Sequence, residues 1–265
     1  MVRLGPVIVA FAYATVGART VTFDARSTLA PTRTVGATPE DGARFHTARA
    51  RLELSGDGSL HLRVPTADGL LELRGHTTDD VLPVVLVTAT PAGGWNVTEK
   101  AAGTAATLDV SLGDRRLRLH DACGWRDWTA GRQDRHTTWR WAAGAGRATS
   151  GARVGLNASA GMNGVAEGED LVWVDGLPRP VTIDRLAPVD ADATGGAWQV
   201  SGPGLRLDLA PLGERSRREH LGPIVSDYTQ PIGRWHGTVP AGHDDHLDPV
   251  EVELLGVAED HLAVW

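Results

Sequence analysis

The residues best suited to chemistry are concentrated between His120 and Asn163. This stretch holds four of the nine Trp residues, together with Asp127, His136 and Arg140. A carboxylate and an imidazole can form a general acid–base pair, because histidine titrates near neutrality and a carboxylate can fix its tautomer. We therefore assign Asp127, His136 and Arg140 as candidate catalytic residues.

Large aromatic side chains next to a few oriented polar groups are what a small-molecule pocket requires. The candidate ligand-binding residues are Lys100, Trp128, Trp139, Trp141, Asn157, Asn163 and Gln230. A Trp at strand spacing is also common in a protein core, so a purely structural role is the competing interpretation. In the same way, Lys100 beside Glu99 is typical of a solvated ion pair.

Strand alternation decides which of these side chains can lie together. In the segment 136–143, Trp139 and Trp141 share one face of a strand, whereas His136 and Arg140 share the other. Residues 153–159 alternate in the same way, with Asn157 on the polar face. If the two segments pair, their polar faces could meet on one side of the sheet. That side would be either solvent or the wall of a polar-lined pocket.

The elements that must position these residues are short alternating segments joined by Gly-containing turns. Arg49–Leu54 and Ser59–Val64 flank one such turn, and the same arrangement recurs along the chain. This spacing predicts an antiparallel, all-β sandwich or barrel. A composition change at residues 91–94 predicts two barrel-like halves, an N-terminal β half over 1–92 and a Trp-rich half over 93–265.

Composition narrows the function class. The net charge of −7 disfavours sequence-independent binding to phosphate backbones, so we expect no nucleic-acid partner. Cys123 is the only cysteine, so it can form neither an internal disulfide nor a thiolate metal site by itself. HExxH, GxSxG and phosphate-loop motifs are absent, and HDDH at 243–246 fits an exposed loop better than a metal site. We therefore expect no metal and no cofactor.

The apolar segment near the N-terminus has the outline of a secretory signal. However, Pro6 stands at its start, and residues 7–23 fit two strands equally well. No run approaches the roughly 18 apolar residues of a membrane span. We therefore predict two strands here, no membrane span and a cytoplasmic location.

Several motifs give the chain a family resemblance. NVTEKAAG (96–103), DWTAG (127–131), TWRWA (138–142), GLN…GMN (155–163) and QPIGRWHGT (230–238) resemble a bacterial family known as domain of unknown function 2804. The TWRWA and GLN…GMN pair is the specific part. Family members usually carry residues before the part that matches 7–24, so the N-terminal half is expected to be truncated. Gly164 stands where the family usually has Asp, and Asp227 where it has a basic residue.

That family is distantly similar to proteins built as two lipocalin-like barrels, among them carotenoid hydratases, tocopherol cyclase and some natural-product cyclases. The resemblance implies a calycin-like fold with a pocket for an apolar small molecule, and it does not imply a reaction. Three hypotheses follow: a cofactor-free enzyme of hydration, cyclisation or isomerisation, a non-catalytic carrier, and a carbohydrate-binding or carbohydrate-active protein. Exposed Trp residues would favour the third. The oligomeric state stays open.

Overall fold

The computed structural model describes residues 1–16, 19–28, 30–161, 169–189, 196–221, 224–240 and 248–264. Within them, the chain forms β-strands and one turn of 3₁₀-helix at Pro39–Asp41. The strands are β1 (Val2–Leu4), β2 (Val7–Val16), β3 (Arg19–Thr28), β4 (Arg33–Val35), β5 (Ala43–His46), β6 (Arg51–Leu54), β7 (Ser59–Thr66), β8 (Gly69–Thr77), β9 (Val84–Ala89), β10 (Trp95–Leu112), β11 (Arg115–Arg132), β12 (His136–Ala148), β13 (Arg153–Ala160), β14 (Leu171–Val174), β15 (Leu177–Pro180), β16 (Arg185–Pro188), β17 (Trp198–Gly202), β18 (Leu205–Leu221), β19 (Ile224–Pro240) and β20 (Pro249–Val264). The predicted all-β fold is confirmed. No helix in these ranges is long and apolar enough to cross a membrane.

The hairpins predicted from alternation are present. Strands β6, β7 and β8 pair in antiparallel order, so that Leu52, Leu62 and Leu73 lie opposite one another. Gly58 ends the β6–β7 turn with a φ of 85°, which suits glycine because it has no Cβ to clash. The N-terminal apolar segment also forms the predicted pair of strands, with Val7 opposite Thr28.

The chain divides into two units, each built around a core of its own. Unit 1 comprises Met1–Asp79 and Ala105–Ala122. It contains the three-stranded sheet β1-β2-β3 and the strands β4 to β8. Its core includes Ile8, Phe45 and Val64, each of which is buried.

Unit 2 comprises Asp80–Thr104 and Cys123–Trp265. Its main element is a nine-stranded sheet in the order β15-β14-β13-β12-β20-β19-β18-β17-β16. Alternate residues of these strands form the apolar core, of which Leu156, Trp235 and Leu254 are fully buried members.

Each of the two units is built from two segments of the chain. Strands β10 and β11 are both 18 residues long and contribute to both units. Residues 95–100 of β10 pair with β9, whereas residues 106–112 pair with β8. One continuous strand therefore changes its partner part-way along, and composition alone gives no sign of that change.

Close backbone contact within unit 2 makes Gly155 a sensitive position. A methyl group on Gly155 of β13 would overlap the backbone of Ala102 in β10. We expect Gly155→Ala to lower the free energy of unfolding by about 3 kcal/mol or more, the upper range for atoms added to a well-packed interior. Gly151→Ala is the control, since its Cβ would meet open space and only its φ of 91° is unfavourable. That control should cost about 1–2 kcal/mol in a urea titration. Equal losses in the two variants would contradict the overlap.

Candidate functional site

One face of the nine-stranded sheet of unit 2 collects aromatic and polar side chains. Directly opposed residues of paired strands point to the same face. The register sets Trp141 opposite both Ser159 and Glu259, and His261 opposite both Trp139 and Tyr228. We call this the polar–aromatic face, and its members are Asn157, Ser159, Trp139, Trp141, Glu259, His261, Ser226, Tyr228, Gln230 and Arg215.

A buried lysine lies at the centre of a second group of polar residues. Lys100 of β10 is only 4% exposed. Its Nζ donates a hydrogen bond to Oδ2 of Asp127 at 2.6 Å and lies 3.9 Å from Oε2 of Glu169. An isolated charge is costly to bury, so the two carboxylates are what makes this position tolerable for an ammonium group.

Two adjacent carboxyl groups in this region hold protons more strongly than usual. Burial raises the pKa of Glu169, and nearby Asp127 raises it further, while Lys100 acts in the opposite direction. Burial also raises the pKa of Asp170 to about 6, although the backbone N–H of Ser159 donates to its Oδ1 at 2.9 Å. A carboxyl group whose pKa is raised in this way is better suited to act as a general acid.

The side chain of Asn157 joins the lysine group to the polar–aromatic face. Asn157 donates from Nδ2 to the backbone oxygen of Glu169 at 2.7 Å. Its Oδ1 accepts a hydrogen bond from Nε1 of Trp141 at 2.9 Å. We call Lys100, Asp127, Asn157, Ser159, Glu169 and Asp170 the Lys100 cluster.

A carboxylate further along the face binds several donors at once. Oε1 of Glu259 accepts from Nε1 of Trp139 at 2.9 Å and lies 2.9 Å from Nδ1 of His261. Its other oxygen accepts from Nε2 of Gln230. The Trp139 indole stacks on the His261 ring with 3.9 Å between centroids. The site is thus a set of buried polar groups flanked by aromatic rings.

The family follows from a comparison of the sequence with family models. Residues 3–265 match the model described as Domain of unknown function (DUF2804). The chain belongs to this family. No curated protein matches the sequence.

The fold of this DUF2804 protein is similar to that of a solved enzyme. The crystal structure of kievitone hydratase from Nectria haematococca superposes with a TM-score of 0.50. The match covers 98% of this chain and 84% of that one at 9% sequence identity. At this identity the likeness supports the lipocalin-like fold, and the chemistry must be argued from the residues.

The candidate catalytic residues separate in the structure. Asp127 binds Lys100 and, at 3.4 Å, accepts from the hydroxyl of Thr129. His136 and Arg140 are exposed, and Nε of Arg140 lies 3.0 Å from Oδ2 of Asp260. An exposed pair of this kind adds little stability, about 0–1 kcal/mol.

The register also corrects the expected meeting of polar faces. Asn157 lies on the face of Trp141, whereas Arg140 lies opposite Ala160 and shares the other face. The reason is burial, because Leu156 and Ala158 are fully buried in the apolar core on that other face. The polar side chains of β13 must therefore point to the indole side of β12.

The structure brings some of the candidate ligand-binding residues together. Trp139, Trp141, Asn157 and Gln230 lie on the polar–aromatic face, and Lys100 is bonded within the cluster next to it. Trp128 is half-buried, and its backbone oxygen accepts from the Thr98 hydroxyl at 3.1 Å. Asn163 lies outside the described residues, as does HDDH at 243–246.

Sequence reasoning missed Glu169 and Asp170, which the structure places in the Lys100 cluster. The sequence EGED at 167–170 looks like any acidic loop, and it gives no sign that Glu169 and Asp170 are buried. Within the described ranges, no three His, Cys, Asp or Glu side chains are grouped as ligands for a metal ion.

Asp170 should make stability depend on pH. Its ordinary pKa of 3.8 applies to the unfolded chain, so between about pH 4 and pH 6 only the folded protein keeps this proton. Stability is therefore highest below this window and falls as the pH rises through it. Asp170→Asn keeps an acceptor for the Ser159 N–H but cannot titrate. In this variant the free energy of unfolding should no longer fall by about 2–3 kcal/mol across the window. Chemical unfolding at several pH values measures this, and the exposed Asp260→Asn should keep the wild-type slope. An unchanged slope in Asp170→Asn would contradict the assignment.

Proposed function

We propose that this DUF2804 protein binds an apolar small molecule in unit 2 and adds water to one of its carbon–carbon double bonds without a cofactor. The observation that carries this proposal is the pair of neighbouring carboxyl groups, Glu169 and Asp170, whose pKa values are raised by burial. Addition of water to an unactivated alkene begins with proton donation to carbon, which requires such an acid.

The remaining residues of the Lys100 cluster fit the other half of the reaction. Once a proton has been donated to one carbon, water attacks the other carbon and must lose a proton. The Asp127 carboxylate is the best acceptor, since its side chain is 28% exposed and so within reach of water. Lys100 holds that carboxylate in place at 2.6 Å. Positive charge developing on carbon would be stabilised by the half-buried indole of Trp141 through its negative face.

The same acid could also start a cyclisation or an isomerisation, because each of these begins with proton transfer to a double bond. Hydration is preferred here since the most exposed carboxylate of the cluster is placed to activate water. The likeness to kievitone hydratase supports the fold in which such a site would lie. The reaction class itself is argued from the carboxyl groups.

A carrier without catalysis is the second candidate. It is favoured by the completeness of the hydrogen bonding, because both polar atoms of the Asn157 side chain and both oxygens of Glu259 already have partners. A carbohydrate-binding role is not proposed. Of the eight Trp residues in the described ranges, Trp95 alone is exposed, whereas a sugar platform needs a row of exposed rings.

The decisive experiment measures oxygen incorporation. The protein is first screened for apolar alkenes that quench its Trp fluorescence, and each binder is then incubated in H₂¹⁸O. We expect one ¹⁸O atom in the product, and a rate that falls by about 100-fold or more in Glu169→Gln. Glu251→Gln, an exposed change on β20, is the control and should match the wild type. Binding without any ¹⁸O product would favour the carrier instead.

A further inference from the structure

The far end of the polar–aromatic face contains a second arrangement that the hydration proposal does not use. We propose that Ser226, His261 and Glu259 form a nucleophile–base–carboxylate triad that hydrolyses carboxylic esters with an apolar acyl group. This inference concerns other residues and another bond than the hydration proposal, and it does not depend on the Lys100 cluster.

The three side chains are connected in the order that acyl transfer needs. Oγ of Ser226 on β19 lies 3.0 Å from Nε2 of His261 on β20. Nδ1 of the same imidazole lies 2.9 Å from Oε1 of Glu259. A carboxylate at Nδ1 keeps the proton on that nitrogen, so Nε2 is left as the acceptor for the serine hydroxyl.

The histidine is held rigidly by its surroundings. Trp139 stacks on its ring at 3.9 Å and Tyr228 lies with its centroid 5.0 Å away. Glu259 is itself fixed by hydrogen bonds from Trp139 and Gln230. The side chains of His261 and Glu259 are only 13% and 12% exposed, which strengthens the electrostatic coupling between them. A merely solvated His–Glu pair would not need this support.

Groups suited to an oxyanion lie on the same face. The hydroxyl of Tyr228 is buried and has no hydrogen-bond partner within the part of the chain that the structure describes. The guanidinium of Arg215, a residue only 6% exposed, lies 4.8 Å from the centroid of the Tyr228 ring. A buried donor next to a buried cation favours negative charge at this position. The surrounding rings favour an apolar acyl chain over a charged one.

The reaction is balanced with water as the only co-reactant. Ser226 Oγ bonds to the ester carbonyl carbon while its proton passes to Nε2 of His261. The C–O bond to the alcohol breaks, and the alcohol leaves with that proton. Water then gives a proton to His261 as its oxygen bonds to the acyl carbon. The bond between the acyl carbon and Oγ of Ser226 then breaks, the acid departs, and the proton returns from His261 to Oγ.

An activity-based probe tests the triad directly. The full-length protein is treated with an alkyl fluorophosphonate and separately assayed with p-nitrophenyl butyrate. We expect one phosphonyl adduct per chain, located on Ser226 by peptide mass spectrometry, and its absence in Ser226→Ala. His261→Gln should slow both labelling and hydrolysis by about 100-fold or more, since general base catalysis is lost. Ser216→Ala, an exposed serine on β18, is the matched control and should react like the wild type.

Ser226→Ala gives a second readout in case His261→Gln fails to fold. Loss of the adduct in Ser226→Ala, with Ser216→Ala still labelled, would assign the reaction to Ser226 without the histidine variant. The proposal is overturned by an unmodified wild-type protein, by an adduct at another residue, or by equal labelling of Ser226→Ala. Because the probe and the ester contain no reactive alkene, failure here leaves the hydration proposal standing, and failure of hydration leaves this one.

Discussion

Replacing Lys100 with methionine is expected to lower the free energy of unfolding by about 3–5 kcal/mol at pH 7. Methionine fills nearly the same space, so the loss comes from charge rather than from a cavity. Without the ammonium group, the carboxylates of Asp127 and Glu169 face each other with no cation between them. The penalty should shrink in acid, because the pKa of Glu169 is already raised by burial and protonation removes its charge. Urea unfolding followed by far-UV circular dichroism at pH 5 and pH 7 measures both effects.

An exposed ion pair supplies the control for this change. Arg118 and Asp109 form a two-contact pair whose side chains are 66% and 56% exposed. Arg118→Met should therefore leave the free energy of unfolding almost unchanged. Combining Lys100→Met with Glu169→Gln should recover part of the loss, since one of the two unpaired charges is then absent. A loss in Lys100→Met that equals the control would mean that Lys100 is effectively solvated.

The fold could be predicted from the sequence wherever one strand face is exposed. Strands β6 to β8 alternate between apolar and charged residues, and their turns carry glycine, so the hairpins were recognisable. The long strand β10 lacks such alternation over part of its length. Its middle part, residues 98–104, is buried throughout and shows no two-residue period. Gly103 also lies in this part of β10, and its φ of 87° departs from extended strand geometry.

The candidate site was predicted less well because it depends on pairing across long sequence distances. Lys100 stood out as the only lysine, yet its partner Asp127 is 27 residues away. Arg140 was grouped with Asp127 from nearness in sequence, but β20 brings Asp260 beside it from the far end of the chain. Spacing gives the face of a residue within its own strand. It does not give the register, which decides the neighbours.

Replacing Glu259 with leucine is expected to cost about 3–5 kcal/mol, the other large effect in this protein. The change leaves Trp139, Gln230 and His261 without the acceptor that they share. Each buried donor left without its partner costs about 1–3 kcal/mol, and water can relieve part of that sum. The fluorescence of the stacked Trp139 ring should also change, because its indole N–H loses the hydrogen bond to the carboxylate and its surroundings become less polar. Tryptophan fluorescence and urea unfolding on the same samples measure both.

A double-mutant cycle with Trp139→Phe separates the shared carboxylate from general loss of packing. Phenylalanine keeps an aromatic ring on His261 but carries no N–H. In the Trp139→Phe background, Glu259→Leu therefore leaves two donors without their acceptor instead of three. The loss caused by Glu259→Leu should then be smaller by about 1–2 kcal/mol than in the wild-type background. Glu251→Leu, an exposed change on the same strand, should stay within about 0.5 kcal/mol of the wild type. Strict additivity of Glu259→Leu and Trp139→Phe would mean that the indole N–H and this carboxylate do not stabilise each other. The contribution of the Trp139 N–H to holding Glu259, and through it His261, would then be lost from the argument for the triad.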